Sequence, residues 1–157
     1  MVSGLANRRA FDERMQALVK DGAGELRKTL ALLDLDGFKA INDHHGHDVC
    51  DAVLQTVSKR IAQSLRDGDF VYRIGGDEFA ILFKPTPNSI PSARLETVAQ
   101  AICEPMTIDG KCLTVGVSIG MAELDVGDDL TSFFRRADER MYAAKQQRSR
   151  EAVRAGT

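Results

Sequence analysis

A chain of 157 residues with a formal net charge of −2 can bury one substantial core and has no strong excess of either charge. This balance excludes the basic footprint of a duplex-binding protein, so we expect no nucleic acid polymer as a partner. No apolar run approaches the ~20 residues of a membrane span and no signal segment is evident, so we expect no membrane contact by this segment. The three cysteines lack metal-ligand spacing, which favours a cytoplasmic location.

The first patterned segments predict a helix followed by a strand. Phe11, Met15 and Leu18 recur at helical spacing across residues 8–20, before a glycine-rich stretch. The continuous apolar run Thr29–Leu33 then predicts a central strand.

An acidic cluster follows that strand, in Asp34-Leu35-Asp36-Gly37. Functional groups often lie where regular elements end, so Asp34 is a candidate site residue. The alternative is that Asp34 only caps the helix that follows.

The next segment predicts two helices separated by a glycine. Phe38 and Ile41 indicate a short helix that breaks at Gly46. Apolar residues at helical spacing across residues 48–65 then predict a long amphipathic helix.

A hairpin with two acids at its tip is predicted next. Val71–Ile74 and Phe79–Phe83 have the composition of short buried strands, and Gly75-Gly76 between them favours a tight turn with positive φ. Asp77 and Glu78 should then point to opposite faces and serve different purposes. The simpler alternative is a solvated tip whose charges keep the edge soluble.

Pairing of this hairpin with the first strand would bring Asp34 close to Asp77. Carboxylates packed together cannot all stay ionised without a compensating cation. Oxygen ligands favour Mg²⁺ or Mn²⁺ over zinc, so these acids predict a site for one of those ions.

The second half predicts a third helix ending near Cys103, a turn at Asp109-Gly110, one strand across Leu113–Ile119, and a last helix whose tail, Gln146–Thr157, frays. Prolines at 85, 87 and 91 mark the loop before the third helix. This order of elements predicts an α+β fold in which helices flank a largely antiparallel central sheet.

Several motifs together resemble the GGDEF domain, the diguanylate cyclase family, over nearly the whole chain. They are Gly75-Gly76-Asp77-Glu78-Phe79, Gly4–Phe11, and Asp34–Asp43 followed by Gly46, His47 and Asp51. The resemblance implies a fold related to the adenylate cyclase catalytic core and the polymerase palm. It also implies that two GTP molecules condense into cyclic di-GMP and two pyrophosphates, with each GTP held by one copy of a two-fold dimer.

The resemblance places the metal ligands on Asp34, the backbone carbonyl of Leu35 and Asp77, with Glu78 as a further ligand. It makes Asp77 the base for the ribose 3′-hydroxyl and groups Glu78 with it as a catalytic residue. Lys39 falls on the position that stabilises the transition state, the alternative being an ordinary solvated lysine.

The resemblance assigns substrate binding to a second group of residues. Asn42 and Asp51 match the pair that reads guanine, and a carboxylate suits the N1–H and 2-amino donors of that base. His47 lies beside them, although a histidine after a glycine also commonly ties down a loop. Phe38 belongs to the backbone segment facing the phosphates, and Lys145 matches a phosphate-contacting lysine.

Arg66-Asp67-Gly68-Asp69 precedes the hairpin at the distance of an Arg-x-x-Asp inhibitory site in the family. Arg66 and Asp69 therefore predict product inhibition by cyclic di-GMP. The alternative is a polar turn with an incidental ion pair.

Two positions depart from the family pattern. Cys50 replaces a glycine next to Asp51 and is expected to crowd the guanine, and Ser149 replaces an arginine after Lys145. These departures favour an alternative function, a weak or inactive module that binds GTP or cyclic di-GMP and regulates a partner domain. We expect residues 1–157 to be a single GGDEF domain, excised from a larger signalling protein that carries a sensory or phosphodiesterase domain.

Overall fold

The computed structural model describes residues 5–87 and 91–155, with side chains described up to residue 151. The described residues form four helices and six strands. In order they are α1 (Arg8–Asp21), β1 (Thr29–Asp36), α2 (Phe38–Ser64), β2 (Phe70–Arg73), β3 (Glu78–Leu82), α3 (Ser92–Cys103), β4 (Met106–Ile108), β5 (Lys111–Leu113), β6 (Gly116–Glu123) and α4 (Leu130–Ala155). Gly4, at the start of the family-like segment Gly4–Phe11, lies outside the described residues, as do residues 88–90 of the proline-marked loop.

The central sheet is antiparallel, with the strand order β2-β3-β1-β6. The strand β1 is central, as its apolar run predicts, because it must be covered on both faces. Strands β4 and β5 form a separate hairpin around Asp109 and Gly110, both of which have positive φ. The predicted α+β architecture is confirmed.

Alternate side chains of β1 lie in two hydrophobic cores, one on each face of the sheet. Leu33 and Phe79 lie in the core shared with α2 and α3, and Leu32 and Ala80 lie in the core shared with α1 and α4. Because side chains alternate along a strand, Asp34 and Asp36 fall on the α4 face. The strand continues to Asp36, so these acids lie on it and not beyond its end.

A glycine in β6 allows α4 to pack directly on the sheet. A Cβ atom on Gly120 would lie 2.0 Å from the carbonyl oxygen of Ala137 and 2.2 Å from the nitrogen of Met141. Only glycine permits this approach, which fixes the height of α4 and its later residues over β1.

Three local predictions are wrong. Gly75-Gly76 is not in the positive-φ region, because the carbonyls of both glycines are held by hydrogen bonds from the Arg73 guanidinium. The strand across Leu113–Ile119 is divided between β5 and β6, which belong to different sheets. The tail is helical as far as Ala155, and Arg148 within it donates a hydrogen bond to Asp36 of β1.

Candidate active site at the acidic edge of the sheet

The pairing of β1 with β3 brings the predicted acids to one edge of the sheet. Asp34 is the register partner of Glu78, and the Leu35 N–H donates a 3.1 Å hydrogen bond to the carbonyl oxygen of Asp77. The hairpin tip therefore lies against the end of the central strand. Asp34 does not cap α2, whose N-cap residue is Gly37.

One lysine from α4 partly neutralises this edge. The Lys145 ammonium donates to Asp34 Oδ2 at 2.8 Å, and the Asp34 side chain is only 13% exposed. The other oxygen, Asp34 Oδ1, is buried and has no hydrogen-bond partner among the described residues. Since a buried carboxylate oxygen without a donor is costly, this edge has unused capacity for a positive group.

The remaining acids show the same shortage of positive charge in their pKa values. Burial first, then the Asp34 carboxylate, raises the pKa of Asp77. Burial, Asp34 and Asp77 likewise raise the pKa of Glu78. Although burial alone lowers it, the pKa of Lys145 is raised by its hydrogen bond to Asp34.

These residues have the chemistry that a hard divalent cation prefers. The unpartnered Asp34 Oδ1 and the raised pKa of Asp77 both fit an added positive charge. Across residues 5–87 and 91–155, no three His, Cys, Asp or Glu side chains are already arranged as a metal site. A cation here would thus be held by fewer carboxylates plus backbone oxygen, or would require side chains to move.

The start of α2 lies next to this edge and presents backbone donors. Gly37 adopts the left-handed conformation, with φ of 77°, and no side chain caps the helix. Phe38 is half-buried at the first helical position, and Lys39 is exposed at the second. An uncapped helix start with a lysine suits a phosphate group.

The predicted guanine-reading residues lie on α2, on both sides of a kink. The kink is at Gly46, as predicted, with φ of 84°. Asn42 is half-buried, whereas His47 and Asp51 are exposed to solvent. They are therefore accessible, and their roles stay predictions.

The expected crowding by Cys50 is not supported by its position. Its side chain is buried in the core that contains Leu54 and Val57, whereas the adjacent Asp51 is exposed. Burial, with smaller contributions from Asp51 and Asp43, raises the pKa of the thiol. Cys50 is a core residue.

The Arg66–Asp69 segment forms a tight turn between α2 and β2. The Asp69 side chain is completely buried, and its carboxylate accepts from the backbone N–H groups of Arg66 and Lys84. Arg66 Nε lies 3.6 Å and Arg94 Nε 3.9 Å from the same oxygen. Asp69 organises the turn, and Arg66 is the accessible member of the predicted pair.

Sequence reasoning missed a polar layer beside Asp34. Asp36 accepts from the buried Ser118 hydroxyl at 2.9 and 3.1 Å and from the Arg148 guanidinium. Asp36 is two residues from Asp34 and so shares its face, and Arg148 is three residues from Lys145 on α4. The spacing of two residues on the strand and of three on the helix could have predicted this second ion pair.

The comparisons with known proteins agree with this geometry. The family model described as "Diguanylate cyclase, GGDEF domain" matches residues 1–151. Diguanylate cyclase VdcA of Vibrio cholerae is 38% identical over 149 residues, which cover 92% of this chain and 43% of the relative. The bifunctional diguanylate cyclase/cyclic di-GMP phosphodiesterase MucR of Pseudomonas aeruginosa is 35% identical over 146 residues, covering 91% of this chain and 21% of that protein. The chain thus spans less than half the length of these curated relatives.

A solved structure extends the likeness to three dimensions. The GGDEF domain of DgcB from Caulobacter crescentus, crystallised in complex with c-di-GMP, superimposes with a TM-score of 0.85 and 31% identity. The match covers 94% of this chain and 89% of that domain. The chain belongs to the GGDEF family of diguanylate cyclases.

Proposed function

We propose that this domain is a diguanylate cyclase that condenses two GTP molecules into cyclic di-GMP and releases two pyrophosphates. The observation that carries the proposal is the gathering of Asp34, Asp77 and Glu78 at one edge, where Lys145 is the cation that the described residues place in an ion pair with Asp34. Such a site is short of positive charge until a nucleotide and its cation bind. Each protomer would hold one GTP and face a second copy across a two-fold axis.

The cation would be Mg²⁺ or Mn²⁺, held by Asp34, the Leu35 carbonyl and Asp77, with Glu78 as a further ligand. When bound, a divalent ion spreads the charge that develops on the phosphate oxygens. The fit rests on the unpartnered Asp34 oxygen and on the oxygen-only donor set.

The chain's own residues supply the remaining chemistry. Asp77 would accept the proton of the ribose 3′-hydroxyl, a role that suits a carboxyl group whose pKa burial has raised. Lys39 would stabilise the phosphoryl charge in the transition state, beside the free backbone donors at the start of α2, including Phe38. Lys145 would exchange its bond with Asp34 for one with a phosphate.

Guanine would be read from the other end of this site. Asp51 can accept from N1–H and the 2-amino group together, which adenine cannot offer. Asn42 and His47 would complete the contact from the same helix. On this proposal the substrate is GTP and not ATP.

The test is incubation of the purified chain at high concentration with GTP and Mg²⁺, followed by chromatographic separation of the nucleotides. A fusion to a dimeric coiled coil supplies the second copy, and ATP serves as the matched control. We expect cyclic di-GMP from GTP, faster in the fusion. No product even from the fusion would contradict the enzyme proposal.

A second candidate function is a module that binds GTP or cyclic di-GMP and regulates a partner domain. Ser149 favours it, because an alcohol there cannot supply the positive charge that the family pattern provides. Titration calorimetry separates the two candidates, since binding without turnover by the fusion would support the regulatory module.

Product inhibition is proposed at the Arg66–Asp69 turn. Arg66, 44% exposed and anchored by the buried Asp69, has the fork of donors that suits a phosphate or a guanine edge. A sensory or phosphodiesterase domain is proposed for the parent protein, for which the bifunctional relative MucR is a precedent.

A further inference from the structure

Two cations on α4 are paired with two carboxylates on β1. Lys145 Nζ lies 2.8 Å from Asp34 Oδ2 and 4.0 Å from Asp36 Oδ1, and Arg148 Nε donates to Asp36 Oδ2. Residues three apart on a helix are neighbours, and residues two apart on a strand share a face. The two pairs therefore lie side by side at the proposed active site.

Two residues of β6 favour the position that Arg148 occupies. The buried Ser118 hydroxyl donates to both oxygens of Asp36, which holds the carboxylate in position. A Cβ atom on Gly116 would lie 2.4 Å from Arg148 Nη2, so the absence of a side chain there makes room for the arginine. Ser118 and Gly116 thus both serve the position of one exposed arginine.

The ion pair leaves part of the guanidinium available. The hydrogen bond to Asp36 uses Nε, and the described side chains give Nη1 and Nη2 no hydrogen bond. The Arg148 side chain is 46% exposed. Arginine has five donors in a fixed fork, so it can keep Asp36 and still grip a second anion.

We propose that Arg148 is a second phosphate-binding residue, which holds the terminal phosphate of the guanosine triphosphate beside Lys145. It would supply from position 148 the cation that Ser149 cannot supply, since positions three and four residues after Lys145 flank the same helix face. This inference rests on the proposed function, because it takes the phosphate end of the nucleotide to lie at Lys145.

The experiment is calorimetric titration of the full chain with a non-hydrolysable GTP analogue and, separately, with GMP, in the presence of Mg²⁺. Arg148→Ala should weaken binding of the triphosphate about tenfold or more and leave binding of GMP unchanged, because GMP lacks the terminal phosphate. Arg150→Ala is the matched control: it removes the same charge from an exposed position of α4, and it should leave both affinities unchanged.

Arg148→Lys separates loss of charge from loss of the fork. It should bind the triphosphate with intermediate affinity, because an ammonium group cannot hold Asp36 and the phosphate together. Urea denaturation of each variant shows whether the fold is kept.

Equal affinities of Arg148→Ala and Arg150→Ala for the triphosphate would overturn the assignment. An equal loss for triphosphate and GMP would also overturn it, since that pattern reports a disturbed fold. If the unaltered chain binds no guanine nucleotide, the proposed function fails first. If the unaltered chain binds the triphosphate and Arg148→Ala binds it with the same affinity, the inference alone fails.

Discussion

Two acidic clusters pack against α4, one at its amino-terminal end and one in its carboxy-terminal half, and they are neutralised to very different degrees. At the amino-terminal end, Asp128 receives hydrogen bonds from Arg136 at 2.6 and 2.7 Å, from the Ser132 hydroxyl at 2.8 Å and from the Asp125 N–H at 2.7 Å. Both oxygens of this 7% exposed carboxylate are satisfied. The Arg136 guanidinium holds the pKa of Asp128 well below its usual range.

In the carboxy-terminal half of the helix, Lys145 faces the carboxyl groups of Asp34, Asp36 and Asp77. Within the described part of the chain, one buried oxygen of Asp34 has no hydrogen-bond partner, and the pKa values of Asp77 and Glu78 are raised. The first cluster connects α4 to the loop before it, and the second has less positive charge than its carboxylates need. The difference indicates that the amino-terminal cluster serves folding and the carboxy-terminal one serves binding.

Asp77→Asn, in the second cluster, should have the largest effect, which is on cyclic di-GMP synthesis. We expect cyclic di-GMP synthesis to fall roughly 10²–10⁴-fold, because the amide cannot accept the ribose proton. The fold should remain, since the folded state already disfavours the ionised carboxylate. Product formation and urea denaturation measure the two effects.

The control for this variant is Asp67→Asn, which neutralises an exposed acid in the turn before the hairpin. It should synthesise cyclic di-GMP at the normal rate. Unchanged synthesis by Asp77→Asn would refute the role of Asp77.

Asp128→Asn, in the first cluster, should lower stability and leave nucleotide binding unchanged. We expect the free energy of unfolding to fall by about 2 kcal/mol, because the Arg136 guanidinium loses its charged partner. Affinity for GTP should not change. Urea denaturation measures the loss, and Glu139→Gln, at an exposed site on the same helix, should show none. A normal unfolding midpoint for Asp128→Asn would contradict a folding role.

The same contrast shows what could be predicted from the sequence. Local patterns predicted the strand β1, the helix α1 and the kink at Gly46, because each of these depends on residues that are neighbours along the chain. The candidate acids were predicted because Asp34 and Asp77 adjoin apolar strands.

The predictions that failed depend on side-chain contacts that no periodicity rule contains, whether the contact is near or far along the chain. The Gly75-Gly76 turn follows the hydrogen bonds from Arg73, and no dipeptide rule contains that arginine. The pair of Arg148 with Asp36 joins residues 112 apart, and its position depends on how closely α4 packs at Gly120. Such contacts follow from packing and not from local periodicity.

The Arg66–Asp69 turn combines the two kinds of site, since Asp69 is satisfied like Asp128 and Arg66 is accessible. Arg66→Ala should raise the half-inhibitory concentration of cyclic di-GMP about tenfold, because a charge-assisted contact is lost. The turn should persist, since Asp69 keeps its bond from the backbone N–H of residue 66. Synthesis assays with added product measure the shift. Asp67→Ala should remain inhibited, and unchanged sensitivity of Arg66→Ala would refute the site.

The smallest expected effect is on the pH dependence of stability, where the two clusters should act with opposite sign. The pKa of Asp128 is lowered in the folded state, so its contribution is present above its unfolded pKa of about 3.9 and is lost as the pH falls further. The pKa values of Asp77 and Glu78 are raised, so their cost is present at neutral pH and disappears as the pH falls through those raised values.

We therefore expect that acidification from neutral pH first relieves the cost at the carboxy-terminal cluster and only then removes the stabilisation at the amino-terminal one. Urea denaturation across this range measures both changes. The double variant Asp77→Asn, Glu78→Gln should not show the relief of cost on acidification. Asp128→Asn should show less of the loss of stability at lower pH. The change in unfolding free energy at Asp77 and Glu78 should be smaller than the loss from Asp128→Asn at neutral pH, because these two acids are only partly buried. Identical pH profiles for the unaltered chain, the double variant and Asp128→Asn would show that the two clusters against α4 do not differ in charge balance.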